Sequence, residues 1–170
     1  MLKLSVKEGL NLPHGWHKVN ISTAEDGEHN GTRYIDLHFE GMPETLKCRI
    51  WSAVNKETSE DFGIGNLFHF ANAGIVEDTD GTLSIDDHVR HLKGKALNVF
   101  FYENENGYTD AAPRVVPTVR DGFNETHVEK LKTRAEEWVT KRKATKTTTV
   151  TDNNGTKTRT SEKDDTDIPF

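Results

Sequence analysis

The run Arg33-Tyr34-Ile35-Asp36-Leu37-His38-Phe39-Glu40 alternates polar and apolar residues with the period of a β-strand. A second alternating run, Thr45 to Trp51, follows after a short turn that contains Gly41 and Pro43. The two runs therefore predict an antiparallel pair of strands with one apolar face. That face comprises Ile35, Leu37, Phe39, Leu46, Cys48 and Ile50.

The alternation extends upstream of this pair but stops downstream of it. Residues 16–23 place Val19 and Ile21 on one side, and the polar run AEDGEHNGT at residues 24–32 predicts a loop. Residues 52–73 lose the alternation, and their clustered phenylalanines favour one or two short helical turns broken by Gly63 and Gly65. We therefore expect a strand before the pair and a helical insertion after it.

Two more strands complete the body of the chain. Residues 95–103 are strongly apolar, the run ENENG predicts a hairpin loop, and residues 108–119 predict a last strand weakened by Pro113 and Pro117. Three strands, a helical insertion and two strands is the element order of the OB-fold, a five-stranded Greek-key barrel, although another small β-barrel also fits. We predict a mainly β protein with an OB-fold domain over residues 1–123.

Residues 124–143 predict a helix that packs on the barrel. Asn124 or Thr126 can cap its start, and Glu129 completes a T-x-x-E capping box after Thr126. Its apolar stripe comprises Val128, Leu131, Ala135, Trp138 and Val139. From residue 144 onward the chain has almost no sizeable apolar residues to offset the entropy of ordering, so residues 144–170 are predicted to form a disordered tail.

The composition limits the possible compartment and ligands. The chain has 170 residues, 33% of them hydrophobic, and a formal net charge of -6 at pH 7. An acidic balance argues against attraction of nucleic acid to the whole surface, although a local groove can still be basic. The single cysteine cannot form an internal disulfide, and no run of about 18 apolar residues could span a bilayer. We expect a soluble, cytoplasmic protein.

No pattern of catalytic or metal-binding residues stands out. The pairs His14/His17 and His88/His91 lack a cysteine partner or an H-E-x-x-H spacing, and there is no G-x-x-x-x-G-K-[ST] loop. Cys48 lies on an inward strand face, where it is expected to be a small core residue and not a nucleophile. We therefore expect no enzymatic activity, no metal and no cofactor.

The solvent face of the predicted strands combines aromatic rings with cations. Such a face suits single-stranded nucleic acid, because a ring stacks on a base while a cation lies near the phosphates. Lys47 and Arg49 favour this interpretation, since nothing in the short strands requires two cations there. The candidate nucleic-acid-binding residues are Trp16, Lys18, Tyr34, His38, Lys47, Arg49, Trp51, Lys93, Lys95, Phe100 and Tyr102.

Two alternatives to this face remain open. Phe100 and Tyr102 point outward if Phe101 faces the core, whereas the opposite parity would place Phe101 outside. Outward aromatic residues, Trp51 among them, could also lie under the helical segments instead of facing solvent.

The chain ends in Asp164-Asp165-Thr166-Asp167-Ile168-Pro169-Phe170, an acidic run that leads into a short apolar anchor. Phe170 can fill an apolar pocket, while the carboxylates meet basic residues on a partner. This ending resembles the tip of bacterial single-stranded DNA-binding proteins, except that Thr166 interrupts the aspartates. The resemblance implies that replication, recombination and repair proteins bind Asp164, Asp165, Asp167, Ile168, Pro169 and Phe170.

The body, over roughly residues 10–119, resembles the OB-fold single-stranded DNA-binding proteins of bacteriophages. The resemblance rests on Leu12-Pro13-x-Gly15-Trp16, Tyr34-x-Asp36-Leu37, Gly63-x-Gly65 and Leu92-x-Gly94-Lys95. It implies a protein that coats and protects single-stranded DNA during phage replication and recombination, in the cytoplasm of the bacterial host, and that recruits enzymes through its tip. The alternative is an adaptor or inhibitor that mimics the tip without binding DNA.

Overall fold

The computed structural model describes residues 14–118 and 123–150, with side chains described as far as residue 144 in the last helix. The start of the Leu12–Trp16 motif, the expected tail from residue 151 onward and the acidic tip at residues 164–170 lie outside the described residues. Within them the chain forms β1 (Gly15–His29), β2 (Thr32–Phe39), β3 (Cys48–Trp51), α1 (Ile64–Ala71), β4 (Ile75–Glu77), β5 (Leu83–Ile85), a 3₁₀ turn (Val89–Leu92), β6 (Ala96–Glu103), β7 (Thr109–Val116) and α2 (Glu125–Val150).

The main sheet has five antiparallel strands in the order β3-β2-β1-β6-β7, and β4 and β5 pair separately. Its two edge strands, β3 and β7, lie side by side. The thiol of Cys48 on β3 donates a hydrogen bond of 3.2 Å to the carbonyl of Ala112 on β7. The sheet therefore forms a nearly closed barrel, which confirms the prediction of a mainly β, five-stranded body.

The first strand, β1, belongs to both halves of this barrel. Residues 15–20 pair with β6, whereas residues from Ile21 onward pair with β2, and the register shifts between Ile21 and Thr23. Such an irregularity is a β-bulge, which bends a strand and increases its twist. One strand can therefore run along both halves.

The prediction of a loop at residues 24–32 was wrong. β1 continues to His29, and the turn consists of Asn30 and Gly31, whose φ angles are 50° and 76°. An Asn-Gly pair supplies the positive φ angles of a two-residue type I′ hairpin. The segment is polar because a strand needs apolar residues only on its inner side, where Ala24 packs against the core.

The inward faces of the strands are the predicted ones. The buried side chains include Ile35, Leu37, Phe39, Leu46, Cys48 and Ile50 from the β2–β3 region and Leu97, Val99 and Phe101 from β6. β3 begins later than predicted, because Leu46 lies in a turn where its N–H donates to the carbonyl of Pro43.

The segment between β3 and β6 is only partly helical. It contains α1 but also the β4–β5 hairpin, which the sequence patterns did not predict. Gly63 precedes α1, and Gly65 lies inside the helix and does not break it. Oδ1 of Asp61 accepts hydrogen bonds from the N–H groups of Gly63 and Ile64 at 2.8 and 2.9 Å, which holds the start of the helix.

The start and the apolar stripe of α2 agree with the sequence prediction. Oδ1 of Asn124 accepts hydrogen bonds from the N–H groups of Thr126 and His127 at 2.9 and 3.4 Å, so Asn124 is the cap. Val128, Ala135 and Val139 are buried, and Leu131 and Trp138 are half-buried.

The end of α2 differs from the prediction. The helix continues to Val150, so the predicted helix end at Lys143 and the predicted disordered tail are wrong for residues 144–150. No glycine or proline occurs between Glu125 and Gly155, so no strong helix breaker stops it earlier. None of the described helices is both long and apolar enough to cross a membrane.

Candidate nucleic-acid interface

The outer side of β2 and β3 carries a compact group of polar and aromatic side chains. We define the β2–β3 surface as Tyr34, Asp36, Lys47, Arg49 and Trp51. The strand register places Tyr34 opposite Trp51 and Asp36 opposite Arg49. Because the neighbouring residues Ile35 and Ile50 point into the core, these side chains project from the other face of the sheet.

Asp36 lies at the centre of the charged group on this surface. Its side chain is buried, and Arg49 donates to it from Nε to Oδ1 at 2.8 Å and from Nη2 to Oδ2 at 2.9 Å. Nζ of Lys47 lies 3.4 Å from Oδ2 of Asp36. The expectation that nothing in these strands requires two cations was therefore wrong, because both of them neutralise Asp36.

These contacts change the proton affinities on the surface. Burial by itself raises the pKa of Asp36, but the hydrogen bonds and charges of Arg49 and Lys47 outweigh it, so the pKa lies below its ordinary value. The hydrogen bonds to Asp36 raise the pKa of Arg49. The group is thus an ionised network with two cations and one carboxylate.

The aromatic rings of the β2–β3 surface pack around Arg49. Its guanidinium carbon lies 3.8 Å from the centroid of the Tyr34 ring and 5.7 Å from that of Trp51. The Tyr34 and Trp51 rings meet edge to face with centroids 5.1 Å apart, and the His29 ring lies 6.3 Å from Trp51. Arg49 therefore covers Tyr34, while Trp51 lies at the edge of the group.

A glycine on β1 determines where the Tyr34 ring can lie. Gly27 pairs with Tyr34, and a Cβ atom built on Gly27 would lie 2.2 Å from Cζ of the ring. The ring therefore crosses β1 at a position where any side chain would collide with it. Tyr34 is held between β1 and Arg49, and we expect it to support the surface and not to stack freely on a base.

The structure separates three predicted cations from this surface. Lys93 and Lys95 flank Gly94, whose N–H donates to the carbonyl of Ile21. Ile21 pairs with Phe39 at the end of the β1–β2 ladder away from Gly27 and Tyr34. Lys18 is exposed on the half of β1 that pairs with β6, opposite Asn98.

His38 lies on β2 beyond Asp36, on the same side of the strand. Its Nε2 lies 3.7 Å from a carboxylate oxygen of Glu25. His38 is half-buried, so it borders the β2–β3 surface without being part of the Arg49 group.

Three predicted stacking residues lie under α2. Phe100 and Tyr102 point away from the barrel core as expected, but they are buried against Ala135 and Val139 of the helix. Trp16 is half-buried, and its ring lies 5.3 Å from that of Phe100. Placing these rings in an accessible binding face was wrong, because the apolar stripe of α2 covers that part of the barrel.

A groove that the sequence patterns did not predict opens between the end of β3, α1, β7 and α2. Its volume is about 530 Å³. Among the residues that line it are Trp51, Phe62, Arg114, His127, Leu131 and Arg134. No local pattern identifies this groove, because Arg114 and Arg134 are brought together only by the packing of α2 on β7.

The described residues show no evident reactive side chain or metal-binding group. Burial, helped by the charge of Asp36, raises the pKa of Cys48 to about 12, so the thiol is protonated and unreactive at neutral pH. No three His, Cys, Asp or Glu side chains in residues 14–118 and 123–144 are grouped to hold a metal ion. The chain matches no protein-family model, and no curated protein sequence matches it.

Proposed function

We propose that this protein binds single-stranded DNA through an OB-fold and that the β2–β3 surface is part of the binding site. Bound in this way, it would coat and protect single strands during bacteriophage DNA replication, recombination and repair in the cytoplasm of a bacterial host. The observation that carries the proposal is the cluster of Lys47, Arg49 and Trp51, which lie on β3 or directly before it and beside Tyr34 and Asp36 of β2. Aromatic rings beside cations are what binding of single strands requires.

The strand topology supports the OB-fold assignment. A nearly closed five-stranded barrel with a long first strand shared by both halves fits that fold, whose second and third strands bind oligonucleotides. β2 and β3 are the strands in those positions. Because a fold alone does not define function, the side chains of the β2–β3 surface carry more weight than the topology.

Each side chain of the surface has a separate role in the proposed complex. Trp51 would stack on a base, and Lys47, whose side chain is about half exposed, would approach a phosphate. Asp36 holds the Arg49 guanidinium in a fixed orientation through two hydrogen bonds. Because Asp36 also cancels one of the two positive charges, we expect binding at this surface to depend only moderately on salt.

The partner-binding role belongs to the acidic tip, which lies outside the described residues. Asp164, Asp165 and Asp167 would pair with basic residues of a replication or repair protein, and Phe170 would occupy an apolar pocket there. The protein itself would have no enzymatic activity in this role.

A second candidate is an adaptor or inhibitor that presents the tip without binding DNA. One observation favours it: Asp36 neutralises the cations of the β2–β3 surface, on a chain whose net charge is already -6. In that case the barrel would only carry the tip.

A salt-series titration of a fluorescent oligo-dT distinguishes the two candidates. It compares the full chain, a chain ending at Val150, where α2 ends, and duplex of equal length as the control. Trp51→Ala should weaken binding by about 1–3 kcal/mol, the usual contribution of a base stacked on an aromatic ring. Leu83→Ala, which truncates an exposed side chain on the separate β4–β5 sheet, should not. Absence of binding by both chains would favour the adaptor.

A further inference from the structure

The groove beside Trp51 has an unusual charge for this protein. The chain is acidic overall, yet the charged residues that line the groove are Arg114 of β7 and Arg134 of α2. No acidic residue lines the groove within the described part of the chain. The groove therefore offers a local concentration of positive charge on an otherwise acidic protein.

The two arginines line the same groove, where Arg114 is half-buried and Arg134 is exposed. Burial lowers the pKa of Arg114, and the charge of Arg134 lowers it further. Both effects destabilise the charged form of the Arg114 guanidinium, but an arginine still stays protonated at neutral pH. An anion that lies between two guanidinium groups removes this repulsion and forms strong charge-assisted hydrogen bonds with them.

The rest of the groove is mostly apolar, apart from Asn55 and Asn66. Phe62 and Val54 are exposed large apolar residues that line it, next to the half-buried Leu131. The volume of about 530 Å³ falls in the range of pockets that enclose a small organic group. The groove thus places two arginines beside an apolar wall, an arrangement that suits the phosphate and the base of a nucleotide.

Trp51 connects the groove with the β2–β3 surface. It belongs to that surface through its contacts with Tyr34 and Arg49, and it also lines the groove. The connection is possible because β3 lies beside β7, which carries Arg114. A DNA single strand with a base stacked on Trp51 could therefore continue along the protein surface directly into the groove.

We infer that the groove is a second segment of the single-strand path, in which Arg114 and Arg134 bind a backbone phosphate and the apolar wall receives the adjoining base. This inference rests on the proposed function. A single strand fits these features better than an acidic peptide does, because Trp51 provides a stacking ring on the same route. A duplex does not fit, since its bases are not available to stack on Trp51.

The test uses Arg134→Glu in the full chain, because Arg134 is exposed on α2 and its replacement leaves the buried stripe intact. The control is Lys143→Glu, which makes the same charge change at an exposed position of α2 outside the groove. Affinity is measured for oligo-dT of about 4 to about 16 nucleotides, the span of footprints known for OB-folds. Thermal unfolding verifies that both variants fold.

The expected result depends on the length of the oligonucleotide. Arg134→Glu should weaken the binding of long oligonucleotides at least tenfold more than Lys143→Glu does, and it should lower the salt slope by about one. The shortest oligonucleotides, which occupy only the β2–β3 surface, should bind both variants equally. Partial rescue by Arg134→Lys, which restores the charge, would further support a phosphate contact.

Two results would overturn the inference while the proposed function stands. In the first, Trp51→Ala weakens DNA binding but Arg134→Glu behaves like Lys143→Glu at every length. In the second, a synthetic peptide of residues 164–170 binds the unmodified protein but not the Arg134→Glu variant, while both proteins bind DNA with the same affinity. The groove would then be a site for an acidic peptide. If the unmodified chain binds no single-stranded DNA at all, the proposed function itself fails.

Discussion

Arg49 and Asp36 face each other across β3 and β2 and are joined by two hydrogen bonds of 2.8 and 2.9 Å. The pair fixes a cation at the centre of the β2–β3 surface, over the ring of Tyr34. The same carboxylate lowers the positive charge that this surface can offer to a phosphate. One interaction thus supports the fold and limits affinity, and the two effects can be separated by mutation.

Asp36→Asn should lower stability and raise affinity for single-stranded DNA. The amide cannot carry the charge that Arg49 and Lys47 neutralise, and the loss of a charged hydrogen-bonded pair should reduce the free energy of unfolding by about 1–3 kcal/mol. The surface gains one unit of positive charge, so oligo-dT should bind more tightly at low salt. Urea unfolding and the oligo-dT titration measure the two effects. Weaker DNA binding by a folded Asp36→Asn protein would contradict this prediction.

The contribution of Asp36 to stability should disappear in acid. The pKa of Asp36 is lowered in the folded protein, so its stabilising effect is fully present above the unfolded value of about 4 and is lost as the pH falls through the lower folded value. The difference in unfolding free energy between the native chain and Asp36→Asn should therefore be constant near pH 6 and shrink below about pH 4. A difference that grows as the pH falls would have the wrong sign. Urea titrations at several pH values give this comparison.

Gly63→Ala should disturb the junction of β3 and α1, whereas Gly65→Ala should not. A Cβ atom on Gly63 would lie 1.8 Å from the carbonyl oxygen of Trp51, but one on Gly65 would lie 3.6 Å from its nearest neighbour. We expect Gly63→Ala to destabilise the protein by about 1–3 kcal/mol, as overpacking does. Gly65 lies inside α1, so Gly65→Ala should stabilise it by up to about 1 kcal/mol. Equal unfolding midpoints for the two variants would argue against the close approach at Gly63.

Much of the barrel could be predicted from local patterns, because burial on one side of a strand imposes a period of two. That period correctly assigned Ile35, Leu37 and Ile50 to the core. The end of the first hairpin was not predicted, because the polar composition of residues 24–32 favours a loop. Asn30-Gly31 within this segment is nevertheless a strong hairpin signal.

The contacts of the candidate site residues were harder to predict, because they depend on strand register and on the docking of α2. Asp36 was placed on the correct face, but only the register puts it opposite Arg49. Phe100 was also placed on the outer side of β6, and only the docked helix determines that this side is covered. Arg114 and Arg134 lie on different elements, so no local pattern could pair them.

Lys47→Glu should weaken binding of single-stranded DNA without unfolding the protein, and Lys93→Glu should have little effect. The side chain of Lys47 is 47% exposed and lies at the edge of the Asp36 network, so in the proposed complex its replacement would remove a phosphate contact from the β2–β3 surface. Arg49→Glu is a poorer test, because it would place two carboxylates opposite each other at Asp36. Lys93 is also exposed but lies near the opposite end of the β1–β2 ladder, where it serves as the matched charge control.

The two lysine variants should therefore differ in both affinity and salt dependence. Lys47→Glu should lower the affinity for oligo-dT severalfold and reduce the slope of log affinity against log salt by about one, as expected for a lost phosphate contact. Circular dichroism should be nearly unchanged for both variants, and thermal unfolding should show a small loss of stability only for Lys47→Glu, which removes the ion pair with Asp36. If Lys93→Glu weakened binding as much as Lys47→Glu, the loss would reflect only the greater negative charge of the whole chain, and the β2–β3 surface would not be the site.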